Sequence, residues 1–135
     1  MRKIILLAAL LFALASPVTA GDDVASARSV ILSQTEAFNR DDAAAAYAFA
    51  APGIHEMFPR PEIFMKMVQQ SYAPVYRHRS FEFGEARAAD GKIAQQVHIV
   101  DTDGVAWEAL YTLEVAPDGN LRISGCVLIK VGQGV

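Results

Sequence analysis

An α+β fold is predicted by three observations: helical spacing of apolar residues through the first half of the chain, alternating spacing through the second, and three Asp-Gly pairs dividing that second half. The pairs are Asp90-Gly91, Asp103-Gly104 and Asp118-Gly119. Taken with the residue before each, they read as three-residue hairpin loops: Ala89-Asp90-Gly91, Thr102-Asp103-Gly104 and Pro117-Asp118-Gly119. In such loops a type I turn is followed by glycine in the left-handed conformation. The expected sheet is a curved four-stranded antiparallel meander, with N-terminal helices packed on one face.

The 135 residues allow one domain, residues 21–135, behind a segment of a different kind. Arg2-Lys3 forms a positive start, Ile4 through Ala15 is unbroken apolar sequence, and Val18-Thr19-Ala20 has the small-residue pattern of a signal-peptidase site. Residues 1–20 are therefore expected to be a signal peptide cleaved near Ala20, giving a periplasmic or secreted domain. The apolar run is shorter than the about 20 residues that a membrane span needs, so no span is expected in the mature chain. Loss of Arg2 and Lys3 leaves ten basic against 15 acidic residues, a net charge of −5. An acidic chain without a basic run is poorly suited to nucleic acid or an anionic membrane. Cys126 is the single cysteine, and a buried core thiol is its default role.

Along the chain, Val24, Ala27, Ile31 and Phe38 mark one face of a helix over 22–38. Asp41 or Asp42 can cap a following helix over 43–51, which Pro52-Gly53 should end. Ile54 through Phe58 reads as a connection carrying His55. Pro61 suits the first turn of a third helix, with Ile63, Phe64, Met67, Val68 and Tyr72 as its stripe and Pro74 as its stop. Arg77-His78-Arg79 reads as solvated strand end.

The loops fix cross-strand partners. Val115 falls opposite Leu121, Leu113 opposite Ile123, Ala109 opposite Val127 and Trp107 opposite Ile129; Ile99 falls beside Trp107, Val97 beside Ala109, Phe83 beside Val97 and Phe81 beside Ile99. One apolar face results, and it contains a single polar row of Glu85, Gln95, Tyr111 and Gly125. That row suggests a cavity between sheet and helices, lined by these four residues, with Tyr47, Tyr72 or His55 closing it. On the opposite face Glu82, His98 and Glu108 form a charged row, a weak metal-ligand candidate that also reads as a solvated or subunit-covered face. Leu110, Cys126 and Leu128 are expected there too, an apolar patch suited to a homodimer contact.

No phosphate-binding glycine loop, paired-cysteine spacing or HExxH is present, and no cofactor is expected. Ala37-Phe38, Asp41-Asp42, Ala46-Tyr47, Ala51-Pro52, Phe64 with Met67-Val68, Tyr72-Ala73-Pro74-Val75, Ala109-Leu110-Tyr111 and Asp118-Gly119 through Ile123-Ser124-Gly125-Cys126 resemble a bacterial family known as a domain of unknown function. Helices followed by a curved meander also resemble the nuclear transport factor 2-like (SnoaL-like, cystatin-like) superfamily. That resemblance implies a cone-shaped fold with a pocket. The superfamily holds binding modules and pocket enzymes that use a carboxylate or histidine with a tyrosine. Two readings follow: a noncatalytic module for a small apolar ligand or a protein partner, and an isomerase or lyase with Glu85 as base and Tyr111 as hydrogen-bond donor.

Overall fold

The structure, a computed structural model, describes residues 20–132. Residues 1–19 of the expected signal peptide lie outside them. The described chain is α+β, five helices followed by a four-stranded antiparallel sheet in the order β1-β2-β3-β4. The elements are α1 (Ala20–Asn39), α2 (Ala43–Ala48), α3 (Pro52–Met57), α4 (Pro61–Ser71), α5 (Ala73–Tyr76), β1 (His78–Ala89), β2 (Lys92–Asp101), β3 (Ala106–Val115) and β4 (Leu121–Lys130).

Helix α1 buries Ala27, Ile31 and Phe38, three positions of the face read from its spacing. It ends because Asp41 turns left-handed, at φ 55°. The Asp42 N–H then reaches back to the Ala37 carbonyl at 2.9 Å and the Asp41 N–H to Phe38 at 3.0 Å, a Schellman closure. Arg77, expected at a solvated strand end, instead donates to the Phe38 carbonyl at 2.7 Å and pairs with Asp41 at 2.7 Å. Tyr76 also donates to Asp41, and these bonds hold the Asp41 carboxyl below the usual carboxylate range. Asp42 caps α2 through the Ala45 N–H at 3.0 Å.

Two prolines read as stops act as starts. Pro52 and Pro74 occupy the first turns of α3 and α5, where a missing N–H costs nothing. Residues 54–57, expected in a connection, are therefore helical. In α4, Met65 is buried and Ile63 is 38% exposed; this helix packs on α2 and α5.

The sheet departs from the expected register at the first turn and at two bulges, and a further register shift lies between His78 and Ser80. Asp90 and Gly91 both have positive φ, 53° and 73°, and Ala89 pairs with Lys92. The first turn is thus a two-residue turn with both residues left-handed rather than a three-residue loop. An extra residue at Gly84-Glu85 restores the count, so Phe83 still meets Val97 and Phe81 still meets Ile99. The other two loops have the expected length, with Gly104 at φ 82° and Gly119 at φ 85°. Beyond Ile123, however, Ser124 is an extra residue on β4, and each later partner moves by one: Thr112 meets Gly125, Tyr111 meets Cys126, Ala109 meets Leu128 and Trp107 meets Lys130. The 49–51 segment lies along this edge, with Ala51 N–H to Ile123 O and Ile123 N–H to Phe49 O, each 2.8 Å.

The core lies between helices and sheet, where Ile31, Phe38, Val97, Ile99, Tyr111 and Leu113 are almost fully buried. No helix among the described residues is long and apolar enough to cross a membrane.

Candidate functional site

The β4 bulge decides what faces the helices. Past Ser124 the alternation inverts, so Cys126 and Leu128 pack against the core, while Val127 and Ile129 stand outside at 57% and 59% exposure. This corrects the expected outer patch: Leu110 remains on it, Cys126 and Leu128 do not, and Val127 and Ile129 take their places.

A cavity of about 390 Å³ lies where α1, α3, α4 and α5 meet β3 and β4. Helix α1 contributes Gln34 and Phe38, α3 with its C-cap contributes Ile54, Met57 and Phe58, and α4 contributes Phe64, Met67, Val68 and Ser71. Tyr72 and Val75 complete the helical wall. The sheet contributes Tyr111 from β3 and Ile123, Ser124, Gly125 and Cys126 from β4. Met57 is 71% exposed and Ser71 is exposed, which places the mouth between α3 and the end of α4. None of these lining residues carries a carboxylate, imidazole, ammonium or guanidinium group.

Tyr111 borders the cavity from β3. It is 2% exposed, and its hydroxyl is the one buried side-chain polar atom without a hydrogen-bond partner among the described residues. Burial, with a smaller contribution from Cys126, pushes its pKa well above the ordinary tyrosine value, so it remains a neutral O–H. Tyr72 also lines the cavity, but its hydroxyl is committed to the Cys126 carbonyl at 3.0 Å. Burial raises its pKa as well and lifts the Cys126 thiol to about 12.

The other expected residues lie elsewhere. Glu85 sits in the β1 bulge and is exposed, outside the cavity, because the tight first turn displaces it from the level of Gln95. Gln95 is fully buried, but its amide is taken up by Arg28 and by the carbonyls of Gly84, Glu85 and Gln96. Gly125 borders the cavity by its backbone. A Cβ built there would meet the Thr112 Oγ1 at 3.0 Å, so its missing side chain clears the outer face and not the space before Tyr111. Tyr47 and His55 stack at 3.8 Å between ring centroids, and Tyr47 donates to the Phe58 carbonyl at 2.5 Å. They support the α2–α3 corner behind the cavity wall and do not line it.

On the outer face His98 pairs with both expected neighbours in the ladder, and its side chain pairs with Glu108, Nδ1 to Oε1 at 3.3 Å. Gln96 donates to the second Glu108 oxygen at 3.2 Å. Glu82, His98 and Glu108 do not close into a metal site, and no three His, Cys, Asp or Glu groups do so among the described residues.

The sequence reading missed Gln34, Phe38, Met57, Ser71 and Cys126 as lining residues. Helical spacing already grouped Phe38 with the buried face, but only the β4 bulge could bring in Cys126. Among curated proteins none matches the chain. The family described as "Domain of unknown function (DUF4864)" matches residues 20–134, which include every described residue, and the chain belongs to it.

Proposed function

We propose that this chain is a noncatalytic binding module of nuclear transport factor 2-like fold, exported and cut near Ala20, that takes a small apolar ligand between its helices and its sheet. The observation that carries the reading is the cavity of about 390 Å³ with no ionisable acid or base of catalytic type on its wall. That volume falls within the range of about 300–1,000 Å³ in which small-molecule sites lie. An isomerase of the Glu85 and Tyr111 kind would need the carboxylate within reach of the cavity, and the β1 bulge turns it away.

Native mass spectrometry of the chain purified without denaturant from the cell envelope tests this. The expected result is a polypeptide beginning near Gly21 that carries an added mass lost on denaturation. Ser71→Trp, placed at the mouth, should reduce that occupancy without unfolding an exposed helix end. A chain that carries no added mass and binds no apolar probe would overturn the reading.

Self-association through the outer face is a second reading, favoured by one observation. Leu110, Val127 and Ile129 stay exposed beside the sheet edge of β4, which no further described strand covers beyond Ile123. An open edge next to outward apolar side chains favours pairing with a second copy. Val127→Glu should convert a dimer to a monomer in light scattering; a monomeric wild-type chain would remove this reading.

A further inference from the structure

The Tyr111 hydroxyl is buried without a partner in a fold that otherwise satisfies its buried polar side chains among the described residues. Gln95 shows the contrast, since every polar end of that side chain is taken. An orphaned buried donor is costly, and it persists most readily where a bound group can complete it. Tyr111 also lines the cavity, whereas the neighbouring Tyr72 hydroxyl already has its acceptor in Cys126 O.

We propose that the cavity selects neutral, mostly apolar molecules with a carbonyl oxygen, and that this oxygen accepts a hydrogen bond from the Tyr111 hydroxyl. The inference rests on the binding-module reading above and specifies its ligand. An anion is disfavoured because the wall has no lysine, arginine or histidine to offset its desolvation, and a cation because it has no carboxylate. A pure hydrocarbon would fit the apolar wall but leave the hydroxyl unpaired. A carbonyl compound gains the same contacts and one hydrogen bond in a site largely removed from water, where such a bond is strong.

A matched pair of probes tests this: 2-acetylnaphthalene and 2-ethylnaphthalene, similar in shape and differing in the carbonyl, with 2-naphthoate as the anionic control. Calorimetric titration of the wild-type chain should show the ketone binding about tenfold more tightly than the hydrocarbon, and the naphthoate weakest. The carbonyl stretch of the bound ketone should shift to lower wavenumber relative to the ketone in an alkane. In Tyr111→Phe the preference should disappear while hydrocarbon binding is retained. Equal binding of ketone and hydrocarbon to the wild type, or an unshifted carbonyl stretch, would overturn the inference and leave the binding-module reading standing. Failure of all three probes to bind would overturn the inference, and together with the absence of a retained mass it would overturn the binding-module reading as well. The wild-type preference and the infrared shift decide the matter even if Tyr111→Phe folds poorly.

Discussion

Arg28 and Gln95 meet across the helix–sheet boundary, Nε to Oε1 at 2.9 Å, and together they clamp the β1 bulge. Gln95 Nε2 is shared among the carbonyls of Gly84, Glu85 and Gln96 at 3.2, 3.3 and 2.7 Å, and Arg28 adds a bond to Gly84 O at 3.2 Å. The guanidinium also lies over the Phe83 ring, 5.3 Å from its centroid. The bulge frees backbone carbonyls that would otherwise pair within the ladder, and one buried amide takes them up.

Gln95→Leu should therefore destabilise the fold by about 1–3 kcal/mol, since it takes the amide partner from part-buried carbonyls of the bulge and from the Arg28 Nε while adding an apolar group. Urea unfolding measures this. A loss below about 0.5 kcal/mol would mean that the bulge is held by strand pairing alone.

Tyr111→Phe should leave the ligand-free fold as stable as the wild type or raise its stability by about 1 kcal/mol, because the lost hydroxyl has no protein partner to leave behind. Thermal and urea unfolding of the two proteins, stripped of ligand, check it. A clear loss of stability would reveal a partner for this hydroxyl.

Cys126 should react slowly with thiol reagents in the folded chain. Its pKa, pushed up to about 12 by burial, cuts the thiolate present at pH 8 roughly a thousandfold relative to a free cysteine. Reaction with 5,5′-dithiobis(2-nitrobenzoate) should accelerate sharply in denaturant. Equal rates would place the sulfur outside the core.

Asp101 organises the second hairpin: its two oxygens accept from the Asp103 and Val105 N–H groups and from Trp107 Nε1, each at 2.9 Å. The Trp107 bond leads the interactions that lower its pKa. A carboxyl with a depressed folded pKa contributes stability that is fully present above its unfolded pKa of about 3.9 and is lost as pH falls through the folded value. Asp101→Asn should thus be less stable at neutral pH and lose less on acidification. Unfolding free energies of both proteins from pH 7 to pH 2 give the comparison; parallel curves would count against the linkage.

Much of the fold was legible because short-range rules set it. The helix face of Ala27, Ile31 and Phe38, the Asp42 cap, and the loops closing at Gly104 and Gly119 each follow from a few adjacent residues. Prolines 52 and 74 misled because the same absent N–H that ends one helix suits the first turn of the next. In the site, Tyr111, Tyr72 and Gly125 border the cavity as expected, whereas Glu85 and Gln95 do not.

The sequence by itself determined the α+β class, helices ahead of a four-stranded antiparallel meander, and an apolar sheet face turned toward the helices, since periodicity and turn chemistry act locally. Only the tertiary structure decided which side chains line the cavity. A single extra residue reverses strand alternation, and neither the bulge at Gly84-Glu85 nor the one at Ser124 has a local pattern that compels it. The first is held from a distance by Arg28 and Gln95, the second lies where the 49–51 segment joins the edge of β4. The two bulges turn Glu85 out and bring Cys126 in.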